Sequence, residues 1–135
     1  MARIFITRTF ARFARKQRIE DERLTERIAQ ADRGLVEASL LGCLVKLRIG
    51  RENEGKSGAF RTIVAYKTNE RAFFLYGFAK NERENISGDE AIELEAYGQL
   101  FIALTEDQID VQIKRGTISE IFDVKRTQSK EPKQS

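Results

Sequence analysis

The chain predicts an α+β domain in which two N-terminal helices pack on a small twisted antiparallel sheet, with further helices toward the C-terminus. Three observations lead there. Strand-like segments follow one another near residues 43–50, 59–67 and 72–80 with only short polar connections, which is how an antiparallel meander is written. Helical periodicity precedes these strands and returns after them. With 135 residues and 41% apolar content, the chain can bury one core without help from disulfides or metal.

The elements follow in order. ARIFIT alternates apolar residues and reads as a short first strand. FARFARKQ then places Phe10, Phe13 and Ala14 at helical spacing, giving a basic amphipathic helix whose stripe faces the core and whose arginines remain available to RNA. A second helix spans roughly Glu20 to Arg33, with Leu24, Ile28 and Ala31 inward and Gly34 as C-terminal cap, so the two helices form a hairpin. Residues 35–42 read as a connector to the three strands. Beyond them, Ser87 and Glu90 have the spacing of a capping box for a helix ending near Leu104. TEDQIDVQIKRG has a capping Thr105, early acids, late bases and Gly116, the order a short helix prefers. TISEIFDV closes the domain as a strand, so its expected extent is 1–124. Residues 125–135, KRTQSKEPKQS, hold the single proline and little apolar surface, and are expected to form a disordered basic tail.

Charge is distributed unevenly. Residues 1–18 carry six cations and no anion, and residues 44–83 carry nine cations against four anions, whereas residues 84–123 carry two against ten. A molecule with one basic face and one acidic side follows, and the basic face suits a phosphate-bearing partner. The chain has no histidine, which removes the usual proton shuttle, the triad base and the commonest zinc ligand. No metal site and no cofactor are expected. Cys43 has no partner for a disulfide and no histidine to activate it, so it reads as a small buried filler. No apolar run is long enough to span a bilayer and MARIFITRTF lacks a signal-peptide pattern, so a cytoplasmic protein with no membrane partner is expected.

The motifs lie between Leu44 and Arg83. On LVKLRIG, Val45, Leu47 and Ile49 occupy one side of a period-two pattern, and Lys46 and Arg48 occupy the other. Lys56, Arg61, Lys80 and Arg83 extend that cationic chemistry along neighbouring segments. GRENEGKS, Gly50 to Ser57, matches the phosphate-loop string G-x-x-x-x-G-K-S. That motif needs a helix to begin at its Lys-Ser pair, whereas GAFRTIVAY continues as a strand, so a bound nucleotide cofactor is rejected. The glycines instead make a loop that brings Lys56 to a phosphodiester. Arg61 alternates with Ile63 and Ala65, so its guanidinium belongs at the sheet's edge or mouth. Phe73, Phe74, Tyr76 and Phe78 form an aromatic strand of mainly core residues, from which Tyr76 has a ring able to stack a splayed base.

These blocks, with the K-x-R strand (Lys46, Arg48), GKSGAFRTIVAY (Gly55 to Tyr66) and FFLYGFAKNERENI (Phe73 to Ile86) in one order, resemble the RelE superfamily of bacterial toxins, and within it the HigB-like branch of type II toxin-antitoxin systems. The resemblance implies a RelE-like fold and a ribosome-dependent endoribonuclease that cuts mRNA in the ribosomal A site. It also implies neutralisation by a cognate helix-turn-helix antitoxin. Carried over by motif, Lys56, Arg61 and Lys80 are the expected catalytic set, while Lys46, Arg48, Tyr76, Asn81 and Arg83 are the expected RNA contacts. Two positions depart from RelE itself. Asn81 stands where RelE has an arginine, and no aromatic residue among Glu84 to Gly88 replaces its catalytic tyrosine, so Lys56, Glu54 and Glu82 remain open as proton acceptors. Two other functions fit the same fold: a ParE-like toxin that inhibits DNA gyrase by protein contact, and an RNA-binding module without catalysis.

Overall fold

The computed structural model describes residues 1–50 and 59–122, which form the elements β1 (Arg3–Thr7), α1 (Arg8–Gln17), α2 (Asp21–Asp32), β2 (Ala38–Ser39), β3 (Leu44–Ile49), β4 (Phe60–Lys67), β5 (Arg71–Ala79), α3 (Gly88–Ile102), α4 (Glu106–Arg115) and β6 (Ile118–Ile121). The strands make one sheet in the order β2-β3-β4-β5-β1-β6. β3, β4 and β5 are the expected antiparallel meander. β1, however, lies parallel to β5, with Ile4 opposite Ala72, and antiparallel to β6, so the sheet is antiparallel at every pair except this one. A parallel pair needs a long connection and leaves no trace in local alternation, which is why the sequence did not announce it.

Helix ends follow their caps. The Thr7 side chain accepts from the Phe10 N–H to start α1. Gly34, with φ of 95°, follows the last residues of α2 and lets the chain turn away. Both capping boxes exist, Ser87 with Glu90 opening α3 and Thr105 with Gln108 opening α4, and Gly116 closes α4 in the left-handed region. α3 stops at Ile102, two residues before the expected Leu104. The connector after α2 contains a two-residue strand, β2, that the sequence reading passed over, since two residues carry no readable period.

The sheet is covered on both faces. α1 and α2 seal one face through Phe10, Ala14, Leu24, Ile28 and Ala31 against Val45, Leu47, Val64, Ala72 and Phe74. Each large side chain buried there stabilises the fold by roughly 1.5–3 kcal/mol. α3 and α4 cover part of the other face, where Leu94, Phe101 and Ile109 meet Phe5, Leu44, Ile63, Ala65 and Phe73. Cys43 is half-buried at the start of β3, its thiol donating to Glu95 at 3.2 Å. Burial first, and then the Glu95 carboxylate, push that thiol up to about 12, the reverse of what a nucleophilic cysteine needs. The segment 123–135, including the expected tail, lies outside the described residues.

Candidate nucleic-acid interface

A bulge in β5 arranges the site. Ile63 pairs with Tyr76 but Val64 pairs with Phe74, so Leu75 is an extra residue. Unbroken alternation would send Tyr76 and Phe78 to the α1 side with Phe74. The bulge resets the count, and Leu75, Tyr76 and Phe78 all join the α3 side. Gly77 then faces α1, where a side chain would collide with the Phe13 ring.

On the α3 side the register produces two rows across three strands. One row is Arg48, Arg61 and Phe78, and the next is Lys46, Ile63 and Tyr76. Arg48 and Arg61 sit directly opposite each other, an arrangement that like-charge repulsion disfavours. Glu37, just before β2, supplies a counter-charge. Its carboxylate lies 3.0 Å from Arg61 Nε and 4.0 Å from Lys46 Nζ. The Arg61 side chain is 11% exposed, and its Nη1 is buried with no hydrogen-bond partner among the described residues. An unpaired buried guanidinium nitrogen is costly in a folded protein, since it has given up water without a replacement.

The turn after β5 folds back over the aromatic pair. The Glu82 and Arg83 N–H groups both donate to the Ala79 carbonyl, which returns Arg83 toward the sheet. The Arg83 guanidinium then lies 6.0 Å from the centre of the Tyr76 ring and 5.7 Å from that of Phe78. It also donates twice to Glu90, at 2.5 and 3.0 Å, and once to the Tyr76 hydroxyl at 3.3 Å. Those bonds from Arg83, with the Ser87 N–H, hold the Glu90 carboxyl down at about 2. Glu90 thus has two tasks, capping α3 and fixing Arg83.

Of the sequence-predicted residues, Lys46, Arg48, Arg61 and Tyr76 share this face, and Arg83 is laid over it. Lys80 and Asn81 are exposed in the turn just past β5, at the end of the sheet where Ile49 pairs with Phe60 and Phe60 with Ala79. Lys56 and Glu54 lie outside the described residues. Glu82 is exposed in the same turn as Lys80. On the same side of β3, Leu44 is buried in the core, and Lys46 and Arg48 make up the cationic row. The string Gly50 to Ser57 is followed by strand β4 from Phe60, not by a helix, in agreement with the rejection of a phosphate loop.

Three contributors went unread in the sequence. Glu37 sits in a connector with no pattern. Arg27 of α2 donates from Nε to the Arg48 carbonyl at 2.9 Å, and nothing in the helical pattern sets it apart from the other charges of that helix. Glu90 was legible as a cap but not as a partner of Arg83.

Among the described residues, no helix is long and apolar enough to cross a membrane. No curated protein matches the chain. The family model for the RelE toxin of the RelE / RelB toxin-antitoxin system matches residues 2–121, from the residue before β1 to the end of β6. That span takes in every strand and helix of the sheet and both rows of the basic face, and the chain therefore belongs to the RelE toxin family of toxin-antitoxin systems.

Proposed function

We propose that this toxin is a metal-independent endoribonuclease of the HigB-like branch that cuts mRNA on the ribosome, acts in the cytoplasm and is held inactive by a helix-turn-helix antitoxin. The observation that carries the reading is Arg61, a nearly buried guanidinium beside Arg48 that keeps one nitrogen without a partner. In the reaction, the 2′-hydroxyl oxygen attacks the adjacent phosphorus, the bond to the 5′-oxygen breaks, and negative charge grows on the nonbridging oxygens. The 2′-hydroxyl proton passes to a base, and the departing 5′-oxygen gains a proton, leaving a 2′,3′-cyclic phosphate and a 5′-hydroxyl. A fixed guanidinium aimed at those oxygens stabilises the transition state more than the ground state. Arg61 is the stabiliser in this reading, with Lys56 and Lys80 completing the catalytic set.

Lys46 and Arg48 hold the flanking backbone, and Asn81 and Arg83 border the mouth. Tyr76 and Phe78 give the face an aromatic floor, with Arg83 spread above it. The ribosome, by presenting mRNA in an attack-ready geometry, supplies much of the remaining barrier reduction.

The test is a translating extract programmed with a defined mRNA, with the new 5′ ends mapped by primer extension. The unsubstituted chain should generate cuts within translated codons, and Arg61→Ala should not. Arrest of growth without any cut would overturn the nuclease and favour inhibition by protein contact.

A further inference from the structure

The edge of β3 carries a second feature. Between that edge and α2 runs a groove of about 180 Å³ lined by Arg23, Arg27, Gln30 and Arg48, with Glu26 on its exposed rim. Both α2 arginines are braced by the end of the strand. Arg27 Nε donates to the Arg48 carbonyl at 2.9 Å, and Arg23 donates to the Gly50 carbonyl. Neither brace is a counter-ion. Arg27 Nη1 is buried and has no hydrogen-bond partner among the described residues, the same condition found at Arg61 Nη1. Glu37 bonds Arg61 through its Nε and acts on Arg27 only through space, so it satisfies neither orphaned nitrogen.

From this geometry we infer that the groove is a phosphate subsite, in which Arg27 and Arg23 receive a phosphodiester oxyanion of single-stranded RNA next to the linkage held over Arg61. The groove is small and polar, it continues from the basic face around Arg48, and its guanidinium forks are preset by backbone carbonyls. A planar fork with a free nitrogen suits a phosphate oxygen better than a solvated ammonium does. Burial lowers the Arg27 pKa and Glu37 opposes that shift, so an added anion would relieve a charge that now lacks its full solvation. The subsite deepens the nuclease reading and rests on it only for the identity of the RNA as substrate.

The experiment uses the full chain and a short 2′-O-methyl oligoribonucleotide, which cannot be cut, titrated by fluorescence anisotropy over a series of salt concentrations. Arg27→Gln and Arg23→Gln should each weaken binding and reduce the slope of log affinity against log salt by about 0.7, the value for one phosphate contact on a single strand. Arg27→Lys should keep the slope while losing affinity, because charge remains and the fork does not. Lys67→Gln, at the opposite end of β4 and paired with Glu70, should change neither. An unchanged slope in both glutamine variants with native circular dichroism, an equal fall in Lys67→Gln, or no binding by the unsubstituted chain would overturn the subsite. Arg23→Gln stands in should Arg27→Gln fail to fold. Since the probe is uncleavable, this readout is independent of the mapped cuts: loss of the slope effect with cutting intact removes only the subsite, and its presence without cutting removes only the nuclease.

Discussion

At Arg61 a single side chain holds opposing demands. It is almost buried, faces Arg48, and is balanced by one carboxylate that must also serve Lys46. For a pair so far removed from water the lost hydration of both charges offsets much of their attraction, so its value lies in aiming the guanidinium. Arg61→Ala should accordingly lower the cutting rate by about 10²–10³-fold, the loss typical of one fixed donor to a developing oxyanion, while the thermal midpoint moves little. Arg61→Lys should not restore the rate, because the charge returns without the fork. In the nuclease reading, Glu37 is the anion with which a phosphate competes at Arg61. Replacing it by glutamine keeps the shape and removes the competing charge, so Glu37→Gln should bind the uncleavable RNA several-fold more tightly at low salt. Equal affinity of the two proteins would show that Glu37 does not compete with the ligand.

Among the elements, β5 is the one whose details decide the site. Its bulge puts Tyr76 and Phe78 beneath Arg83 and leaves Gly77 against Phe13, where an added Cβ would lie 2.4 Å from the ring. Gly77→Ala must therefore displace the Phe13 ring, shift α1 or bend the strand, at a cost of about 1–3 kcal/mol. The urea midpoint should fall with an unchanged m-value, which distinguishes strain in the native state from a change in unfolding mode. The same strand shows what a sequence can and cannot disclose. Strand and helix positions were readable because Val45, Leu47 and Ile49, or Leu24, Ile28 and Ala31, repeat at the period of their own backbone, and caps such as Ser87 act within three residues. That Lys46 and Arg48 share a face was readable for the same reason, but that Arg61 joins them follows from the pairing of β3 with β4. The bulge, the parallel pairing of β1 with β5 and the approach of Glu37 and Arg27 depend on register between distant segments, which no local period encodes.

For the whole molecule, charge placement sets the response to pH. Asp32 illustrates the acid side: burial works against its charge, but hydrogen bonds from the Tyr66 hydroxyl and from the Ala2 and Asn69 N–H groups prevail and hold its carboxyl below the usual range. Glu90, Glu95 and Glu106 are held low as well, Glu90 and Glu106 chiefly by arginine hydrogen bonds, and Glu95, against burial, by Gln99 and then Cys43. A depressed carboxyl contributes stability that is present above its unfolded pKa, 4.5 for a glutamate, and is lost as pH falls through the folded value, about 2 for Glu90. The alkaline side has the opposite sign. Burial and Glu95 raise Cys43 from 9.0, and burial and Asp32 raise Tyr66 from 10.0, each to about 12. Their contribution is complete below the unfolded values and disappears as pH rises toward 12. With no histidine in the chain, nothing of that kind titrates between these limits. Thermal midpoints should therefore be nearly flat from about pH 5 to pH 9, fall below pH 4.5 and fall again from pH 9 toward 12. Asp32→Asn should lower the plateau and shrink the acid drop, since the loss it would have suffered on protonation has already occurred. Tyr66→Phe should flatten the alkaline arm and, by removing the hydroxyl that bonds Asp32, shrink the acid drop as well. A midpoint that climbed steadily from pH 5 to 9 would mean that some other group, uncoupled from these four carboxylates and two acids, governs the fold.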